Sequence, residues 1–256
     1  MNKYFVFSDV HGCYTFLRTS LEKAGYDEQN PKHILVSLGD NFDRGYENAE
    51  ILRFLNRTNA LWVRGNHDQM LLDYLIGSDN GMFNCTYNGM HTTIRDLANL
   101  PQNTNPTNII QGLHYLGEVV QERFPTLISK LIKLPDGYKI GNYILTHAGF
   151  STNYRRHEHD NSWFPNNWTN TPEFIDKYNG YTNDFKFVCG HWHAGKLSYD
   201  FIGIYDHKHE IFNFNNFIGI DTCTNITEKV NILVIETEEN AIPFSSKHAL
   251  EEIKKM

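Results

Sequence analysis

The sequence predicts an α/β protein with a largely parallel sheet in its N-terminal part. Short runs rich in β-branched and aromatic residues alternate there with segments whose apolar residues recur every three to four positions. The turns between these segments are short, which is typical of strand–helix–strand units around a parallel sheet. Because ligand groups gather at the carboxyl ends of such strands, the residues after each strand are the first candidates for a functional site.

Three strands and three helices are predicted before residue 77. The strands are expected at 4–8, 33–38 and 60–63, and the helices at 13–24, 46–55 and 67–76. Each helical segment has the apolar spacing of an amphipathic helix, and Gly25 suits the end of the first one. These elements alternate along the chain as strand–helix units do.

The middle of the chain reads as an insertion. Residues 78–111 are polar and rich in Asn and Gly, with one weak helix expected near 92–100. Residues 115–134 have the pattern of one or two amphipathic helices interrupted by Pro125. We therefore interpret residues 78–135 as a helical insertion or cap within a single domain that spans 1–256.

The later part of the chain carries fewer long helices. Strands are expected at 143–145, 185–189, 217–220 and 232–235, with a more antiparallel arrangement because few helices separate them. Residues 151–183 contain prolines and Asn pairs and are expected to form a long loop over the site. The segment 246–256 is expected to be an exposed helix.

Composition favours a globular protein of the cytoplasm. Hydrophobic residues make up 40% of the 256 and charged residues 21%, which argues against a disordered chain. No apolar stretch reaches the roughly 18 residues of a membrane helix, and the apolar run after Met-Asn-Lys is too short for a signal peptide. The four cysteines form no Cys-x-x-Cys pair, which favours reduced thiols. A net charge of −7 without a basic run argues against nucleic acid as a partner.

Five predicted strand ends carry carboxylate, imidazole or amide side chains next to glycine. They read Ser-Asp9-Val-His11-Gly, Gly-Asp40-Asn-Phe-Asp43-Arg44-Gly, Arg64-Gly-Asn66-His67-Asp68, Thr-His147-Ala-Gly and Gly190-His191-Trp-His193. Taken singly, each is explained by a turn, a helix N-cap or a buried histidine. Five such motifs, each after a predicted strand, indicate one shared site.

The residue types suit transition metals. Carboxylate oxygen combined with imidazole nitrogen is a ligand set for Mn, Fe or Zn rather than for Ca. Asp40 is a carboxylate that could bridge two ions, and neutral ligands for a second ion are available from Asn66, His147 and His191. Neutral ligands matter because too many carboxylates would weaken the Lewis acidity that activates water.

In this order, the motifs resemble those of the calcineurin-like metallophosphoesterase superfamily, specifically the PPP-type serine/threonine protein phosphatase branch with its bacterial and phage members. The resemblance runs from Asp9 to His193, and Ile220-Asp221-Thr222 is similar to a later family segment. It implies a four-layer α/β sandwich in which two mixed β-sheets are flanked by helices. It also implies a dinuclear metal site at the strand ends.

The resemblance implies a ligand set for two divalent metal ions. The residues carried over as ligands are Asp9, His11, Asp40, Asn66, His147 and His191, with Asp40 shared by both ions. His193 is added to the first ion, because Gly-His-x-His is typical of the wider superfamily, whereas protein phosphatases usually read Gly-His-Thr. Mn2+ is the expected metal, with Fe or Zn as alternatives, since ligand type does not choose among them.

The resemblance further implies a mechanism. A hydroxide between ions roughly 3.5–4 Å apart would attack phosphorus in line. Arg44 and Asn66 would bind the substrate, Arg44 by gripping a phosphoryl oxygen with its forked guanidinium. His67 would protonate the leaving oxygen, and Asp43 would fix the tautomer of His67.

The leading hypothesis is a metal-dependent phosphomonoesterase similar to serine/threonine phosphoprotein phosphatases, acting on a phosphoprotein or a small phosphoester. The alternative is a diadenosine tetraphosphate-type hydrolase, which shares the Gly-Asn-His-Asp68 form but usually reads Ala-Arg-Gly in place of Asp43-Arg44-Gly. A non-catalytic binding module and a nuclease are further alternatives. The family's second phosphate-binding arginine has no clear match, and Arg155 and Arg156 lie in the right interval but could equally face solvent.

Overall fold

The computed structural model describes residues 1–77, 81–149, 175 and 185–244. Strands in these ranges are β1 Asn2–Phe7, β2 His33–Ser37, β3 Leu61–Trp62, β4 Gly137–Ile140, β5 Tyr143–Thr146, β6 Lys186–Cys189, β7 Phe212–Phe214, β8 Phe217–Gly219, β9 Leu233–Thr237 and β10 Ile242–Phe244. Helices are α1 Tyr14–Lys23, α2 Asn48–Arg57, α3 Asn66–Leu75, α4 Gly81–Tyr87, α5 Met90–Leu97, α6 Pro106–Gln111, α7 Leu113–Arg123, α8 Leu127–Ile132, α9 Ala194–Ile202 and α10 Thr224–Thr227. Across these ranges, no helix is both long and apolar enough to cross a membrane.

The strands form two mixed sheets. The first has the order β3-β2-β1-β9, in which β1, β2 and β3 run parallel and β9 pairs antiparallel with β1. The second has the order β10-β4-β5-β6-β8-β7, with parallel pairs only at β5–β6 and β6–β8. The predicted parallel N-terminal sheet and the more antiparallel later half are both confirmed.

The central strand β1 is buried on both faces. Its side chains alternate, as the two-residue period of a strand requires. Phe5 and Phe7 pack in a core with residues of α1, α2 and α3, whereas Tyr4 and Val6 pack against the second sheet. Helices therefore cover one face of the first sheet, and the second sheet covers the other.

The second sheet is covered on its outer face as well. Ile144, Phe187 and Phe217 of β5, β6 and β8 pack there with Ala194 and Leu197 of α9. Three apolar cores thus lie between four layers, namely helices, first sheet, second sheet and helix. The predicted four-layer sandwich is confirmed.

Helices α4–α8 belong to the same core as the first sheet. Cys85 and Ile94 are buried there together with Val120, Leu131 and Phe5. The expectation of a single weak helix in 78–111 is wrong, because α4, α5 and α6 all lie in that segment. The sequence of α4 contains Gly and Asn, which have weak helix propensity, so its helix depends on tertiary packing.

Other differences concern short elements. Strands β4, β7 and β10 and helix α9 were not expected, since segments of three to nine residues carry too few repeats for a periodic pattern. Of the one or two helices predicted around Pro125, the structure has two, α7 and α8, with Pro125 between them. The loop expected at 151–183 lies outside the described residues except for the buried Ile175, and the helix expected at 246–256 lies entirely outside them.

Candidate metal centre

The strand ends bend sharply where the functional side chains lie. Several residues directly after β1, β2 and β6 have the left-handed backbone conformation that only glycine adopts easily. They are Asp9 (φ 53°), His11 (φ 47°), Asp40 (φ 53°), Asp43 (φ 74°), Arg44 (φ 66°) and His191 (φ 63°). Such conformations cost energy and persist where surrounding contacts enforce them, which is typical of functional sites.

Two glycines allow these turns to approach one another. A Cβ atom at Gly65 would collide with the backbone and carboxylate of Asp40. A Cβ at Gly190 would collide with Ser8 and with the carboxylate of Asp9. The glycines of the motifs therefore let the ends of β1, β2, β3 and β6 meet in one place.

Asp40 lies between two clusters of potential metal ligands. His11, Asp40 and His67 form one cluster, and Asp40, His147 and His191 form the other, with the ligand atoms of each cluster within 4.8 Å of one another. The Oδ1 atom of Asp40 is 3.5 Å from Nε2 of His147, whereas its Oδ2 atom is 3.9 Å from Nε2 of both His11 and His67. Each carboxylate oxygen thus faces a different cluster, as a shared ligand must.

Backbone carbonyls fix the tautomers of two histidines. His11 Nδ1 donates to the carbonyl of Phe42, and His147 Nδ1 donates to the carbonyl of Leu38, each at 2.8 Å. In the neutral rings, Nε2 therefore keeps its lone pair and faces Asp40. Hydrogen bonds of this kind orient metal-binding histidines.

The contact between His147 and Asn66 shows whether the donor atoms at this site suit a metal ion. Nε2 of His147 lies 2.9 Å from Oδ1 of Asn66, and both atoms are acceptors in this tautomer. An imidazole nitrogen and an amide oxygen at this distance, with Asp40 Oδ1 3.5 Å from the same nitrogen, form an N/O donor set of the kind that binds divalent metals. The residues at the candidate site therefore fit a divalent ion.

The ionisation of the buried groups agrees with this chemistry. Burial lowers the pKa of His11 well below its usual value, and nearby His67 and Arg44 lower it further. Burial and His147 lower the pKa of His191 to about 4, although Asp40 and Asp9 oppose the shift. Both rings are therefore neutral at pH 7, and a neutral imidazole is the form that binds metals.

Asp40 stays ionised although it is buried. Burial alone would raise its pKa, but His147, His67 and His191 together with the His67 N–H hold it below its usual value. That N–H donates to Asp40 Oδ1 at 2.9 Å. The shared carboxylate is thus negatively charged between the two clusters.

His67, a member of the first cluster, forms a buried pair with Asp43. His67 Nδ1 lies 2.7 Å from Asp43 Oδ2, with the two side chains 3% and 0% exposed. Burial lowers the pKa of His67, but Asp40 and the hydrogen bond to Asp43 raise it overall. A histidine whose pKa is raised and whose Nδ1 is paired with a carboxylate can take up a proton at Nε2 and pass it to a leaving group.

Arg44 reaches from the surface into the site. One guanidinium nitrogen lies 2.9 Å from Nε2 of His11, and the other lies 3.2 Å from Nε2 of His67. The guanidinium group of Arg44 therefore faces the predicted reaction centre, where it can bind an anionic group.

Asp68 connects the turns after β2 and β3 through hydrogen bonds, a role that its motif alone does not indicate. Its carboxylate accepts hydrogen bonds from the backbone N–H groups of Asp40, Asn41 and Gly65 and from the indole of Trp62. Burial, together with the charge of Asp40, raises its pKa to about 6. The signal in the sequence is a carboxylate at the third position of a helix that begins after Gly65, where it can reach back to free N–H groups.

On the side of the site next to β6, the predicted ligands are less buried and less closely grouped. Asp9 Oδ2 accepts the backbone N–H of His191 at 2.9 Å, but neither Asp9 nor His193 belongs to the two clusters. His193 is 40% exposed, and its Nε2 lies 3.8 Å from Oδ2 of Asp221. Burial and then Asp9 raise the pKa of Asp221 well above its usual value. The ligand role of His193 stays a prediction, and Arg155 and Arg156 lie outside the described residues.

Comparisons with known proteins agree with the motifs. A family model described as calcineurin-like phosphoesterase matches residues 3–208, which is more than half of the chain. Serine/threonine-protein phosphatase 2 of Salmonella typhimurium is 46% identical over 68 residues, which cover 27% of this chain and 30% of that protein. The asymmetrical bis(5'-nucleosyl)-tetraphosphatase PrpE of Bacillus subtilis is 30% identical over 156 residues, which cover 57% of each. The chain thus spans less than two thirds of the length of these relatives.

The fold has a known counterpart as well. A cold-active protein-tyrosine phosphatase of a psychrophilic Shewanella has a TM-score of 0.54 and 17% identity, over 93% of this chain and 76% of that chain. At this identity, the likeness concerns the fold alone. With the family model covering all five motifs, the chain belongs to the calcineurin-like phosphoesterase family.

Proposed function

We propose that the chain is a metal-dependent phosphoester hydrolase that acts like a serine/threonine phosphoprotein phosphatase on phosphomonoesters. The observation that carries the proposal is Asp40, whose two oxygens face different ligand clusters, while His67 of one cluster is paired with Asp43. A carboxylate that two ions could share, next to a histidine with a raised pKa, provides what hydrolysis of a phosphate ester requires.

In this proposal the chain holds two divalent metal ions. The first is held by Asp9, His11, Asp40 and His193, and the second by Asp40, Asn66, His147 and His191. Mn2+ is the proposed metal, with Fe and Zn as alternatives that the same ligands accept. When bound, the ions would act as Lewis acids that lower the pKa of water and offset charge on the phosphoryl group.

The remaining residues act directly on the substrate. Arg44 binds a phosphoryl oxygen with its forked guanidinium, and Asn66 is the second proposed substrate-binding residue. His67 donates the proton from Nε2 to the leaving oxygen, because its Nδ1 is occupied by Asp43. Asp43 stabilises the positive charge of His67 until that proton is transferred.

A dinucleoside tetraphosphate hydrolase is the alternative, favoured by the Gly-Asn-His-Asp68 form and by the PrpE relative. The Asp43-Arg44-Gly segment favours the phosphatase, because Asp43 supports an acid that a poor leaving group such as serine needs. Turnover of phosphoserine peptides, diadenosine tetraphosphate and nitrophenyl phosphate separates these readings.

We expect phosphoserine peptides to be cleaved faster than diadenosine tetraphosphate. The reverse ranking would favour the alternative, and cleavage of nitrophenyl phosphate alone would point to another phosphoester. No cleavage of any ester by a metal-loaded chain would favour a binding module.

We further propose that the chain acts in the cytoplasm, as one domain in which residues 78–135 are an insertion. All four cysteines are free thiols, and three of them are buried, which supports a reducing compartment. The proposed partner is a phosphorylated substrate, with no membrane or nucleic acid partner.

A further inference from the structure

We propose that Thr93, on helix α5 of the segment interpreted as an insertion, is a positioning residue for the acid pair His67–Asp43. This inference rests on the proposed function and assigns to that site a residue that none of the five motifs contains. Thr93 is fully buried and lies 50 positions after Asp43 in the chain. Its contribution therefore comes from tertiary structure.

The hydroxyl of Thr93 forms hydrogen bonds with both the carboxylate and the backbone N–H of Asp43. It donates to Oδ1 of the carboxylate at 2.6 Å and accepts the backbone N–H of Asp43 at 2.8 Å. The other carboxylate oxygen, Oδ2, bonds to Nδ1 of His67. Because one oxygen is held by Thr93, the other is directed at the histidine.

Asp43 needs such a contact because its backbone is strained. Its φ of 74° is a conformation that residues other than glycine rarely adopt. The side chain is also completely buried, so water cannot replace a lost hydrogen bond to the carboxylate. Thr93 therefore stabilises both the turn and the direction of the carboxylate.

Helix α5 is itself fixed in place, so it can act as a rigid support. Met90, Ile94 and Leu97 are buried in the core, and the Asp96 carboxylate accepts the backbone N–H of Ala49 on α2. A residue that orients a reacting group from a rigid helix preserves geometry better than one on a loop.

A neighbouring contact joins the same helix to Arg44. The carbonyl of Gly89, at the start of α5, accepts the backbone N–H of Arg44 at 3.3 Å. Thr93 of this helix and Gly89 at its N-cap thus contact two consecutive residues of the Asp43-Arg44 turn and support that turn.

The test compares Thr93→Val, which removes the hydroxyl at nearly constant volume, with Thr93→Ser, which keeps it. Thr92→Val is the matched control, since Thr92 is buried on the same helix but donates to the carbonyl of Gly89, which keeps its bond to Arg44. Kinetic constants are measured with nitrophenyl phosphate and with an alkyl phosphate, whose poor leaving group depends on the acid.

We expect Thr93→Val to lower kcat for the alkyl phosphate by about tenfold or more, with a clearly smaller loss for nitrophenyl phosphate and little change in KM. Thr93→Ser should recover most of the loss, and Thr92→Val should keep the wild-type ratio between the two substrates. Equal losses on both substrates, or an unchanged ratio in Thr93→Val, would overturn the inference.

A second measurement separates this inference from the proposed function. In 15N-labelled protein, the Nδ1 proton of His67 gives a hydrogen-bonded NMR signal that does not require turnover. We expect this signal to weaken in Thr93→Val and to persist in Thr93→Ser and Thr92→Val. A wild-type chain without activity would refute the proposed function, whereas an unchanged signal in Thr93→Val would refute the role of Thr93.

Discussion

The two halves of the candidate site differ in how deeply their side chains are buried and in the hydrogen bonds that those side chains make. On the first sheet, Asp40, Asp43 and His67 are 2%, 0% and 3% exposed, and each accepts or donates hydrogen bonds to buried neighbours. On the second sheet, His147 is buried, but His191 is partly exposed and His193 is 40% exposed. The proposed shared ligand and the proposed acid are thus held by buried contacts, whereas His191 and His193 are partly exposed to solvent.

The deeply buried and hydrogen-bonded side chains of Asp40, Asp43 and His67 lie where charge would change in the proposed reaction. A proton donor must keep its orientation while a leaving oxygen develops charge, and a shared carboxylate must keep its two oxygens apart. The proposed ligands His191 and His193 need only reach the ion. Because they are partly exposed, we expect the substrate to enter on their side. We therefore expect substitutions in the first half to have larger effects than substitutions in the second.

The largest effect is expected from Asp40→Asn. Because Asp40 belongs to both clusters, this change should remove both metals together, and turnover should fall by more than the roughly 10²–10⁴-fold that a general acid supplies. Metal content by mass spectrometry and nitrophenyl phosphate turnover measure the two effects. Retention of a full metal pair would contradict the shared role.

The next effect is expected from His67→Asn, which removes the proposed acid. Turnover of an alkyl phosphate should fall by about 10²–10⁴-fold, because its leaving oxygen needs a proton. Nitrophenyl phosphate has a better leaving group and should be affected much less. Equal losses for the two esters, measured under saturating substrate, would rule out the role of His67 as acid.

The smallest effect is expected from His193→Ala, on the partly exposed side of the site. If His193 binds the first ion, its loss should weaken binding of that ion by about tenfold while the second ion stays bound. Titration with manganese, followed by calorimetry, measures the two affinities. Unchanged affinity at both sites would show that His193 instead serves only Asp221, its neighbour at 3.8 Å.

Much of the fold and the site could be predicted from local sequence. Parallel strands deliver their carboxyl ends to one edge, so the strand pattern predicts that Asp40 and His67 lie close together. The aromatic and β-branched run at 4–8 predicts the first strand but does not indicate what packs on either face of it. Helix α9, which covers the second sheet, was missed.

The contacts that support the site could not be predicted in this way. Thr93 lies in the weak helix predicted near 92–100, but its bond to Asp43 exists only because α5 packs against α2 and the core. Asp68 was visible within a motif, but its four hydrogen bonds depend on turns from two other strands. The bonds of Asp68 to Asp40 and Asn41 and the bond of Thr93 to Asp43 join residues 27 to 50 positions apart, and propensity carries no information about them.

If the clusters around Asp40 hold two metal ions, as proposed, turnover should depend on them. The most direct measurement is metal content by mass spectrometry together with nitrophenyl phosphate turnover, before chelation, after chelation and after added manganese. We predict about two metal ions per chain, loss of turnover with the metals and recovery with manganese. A chain that holds no metal and cleaves no ester after reconstitution would contradict the account.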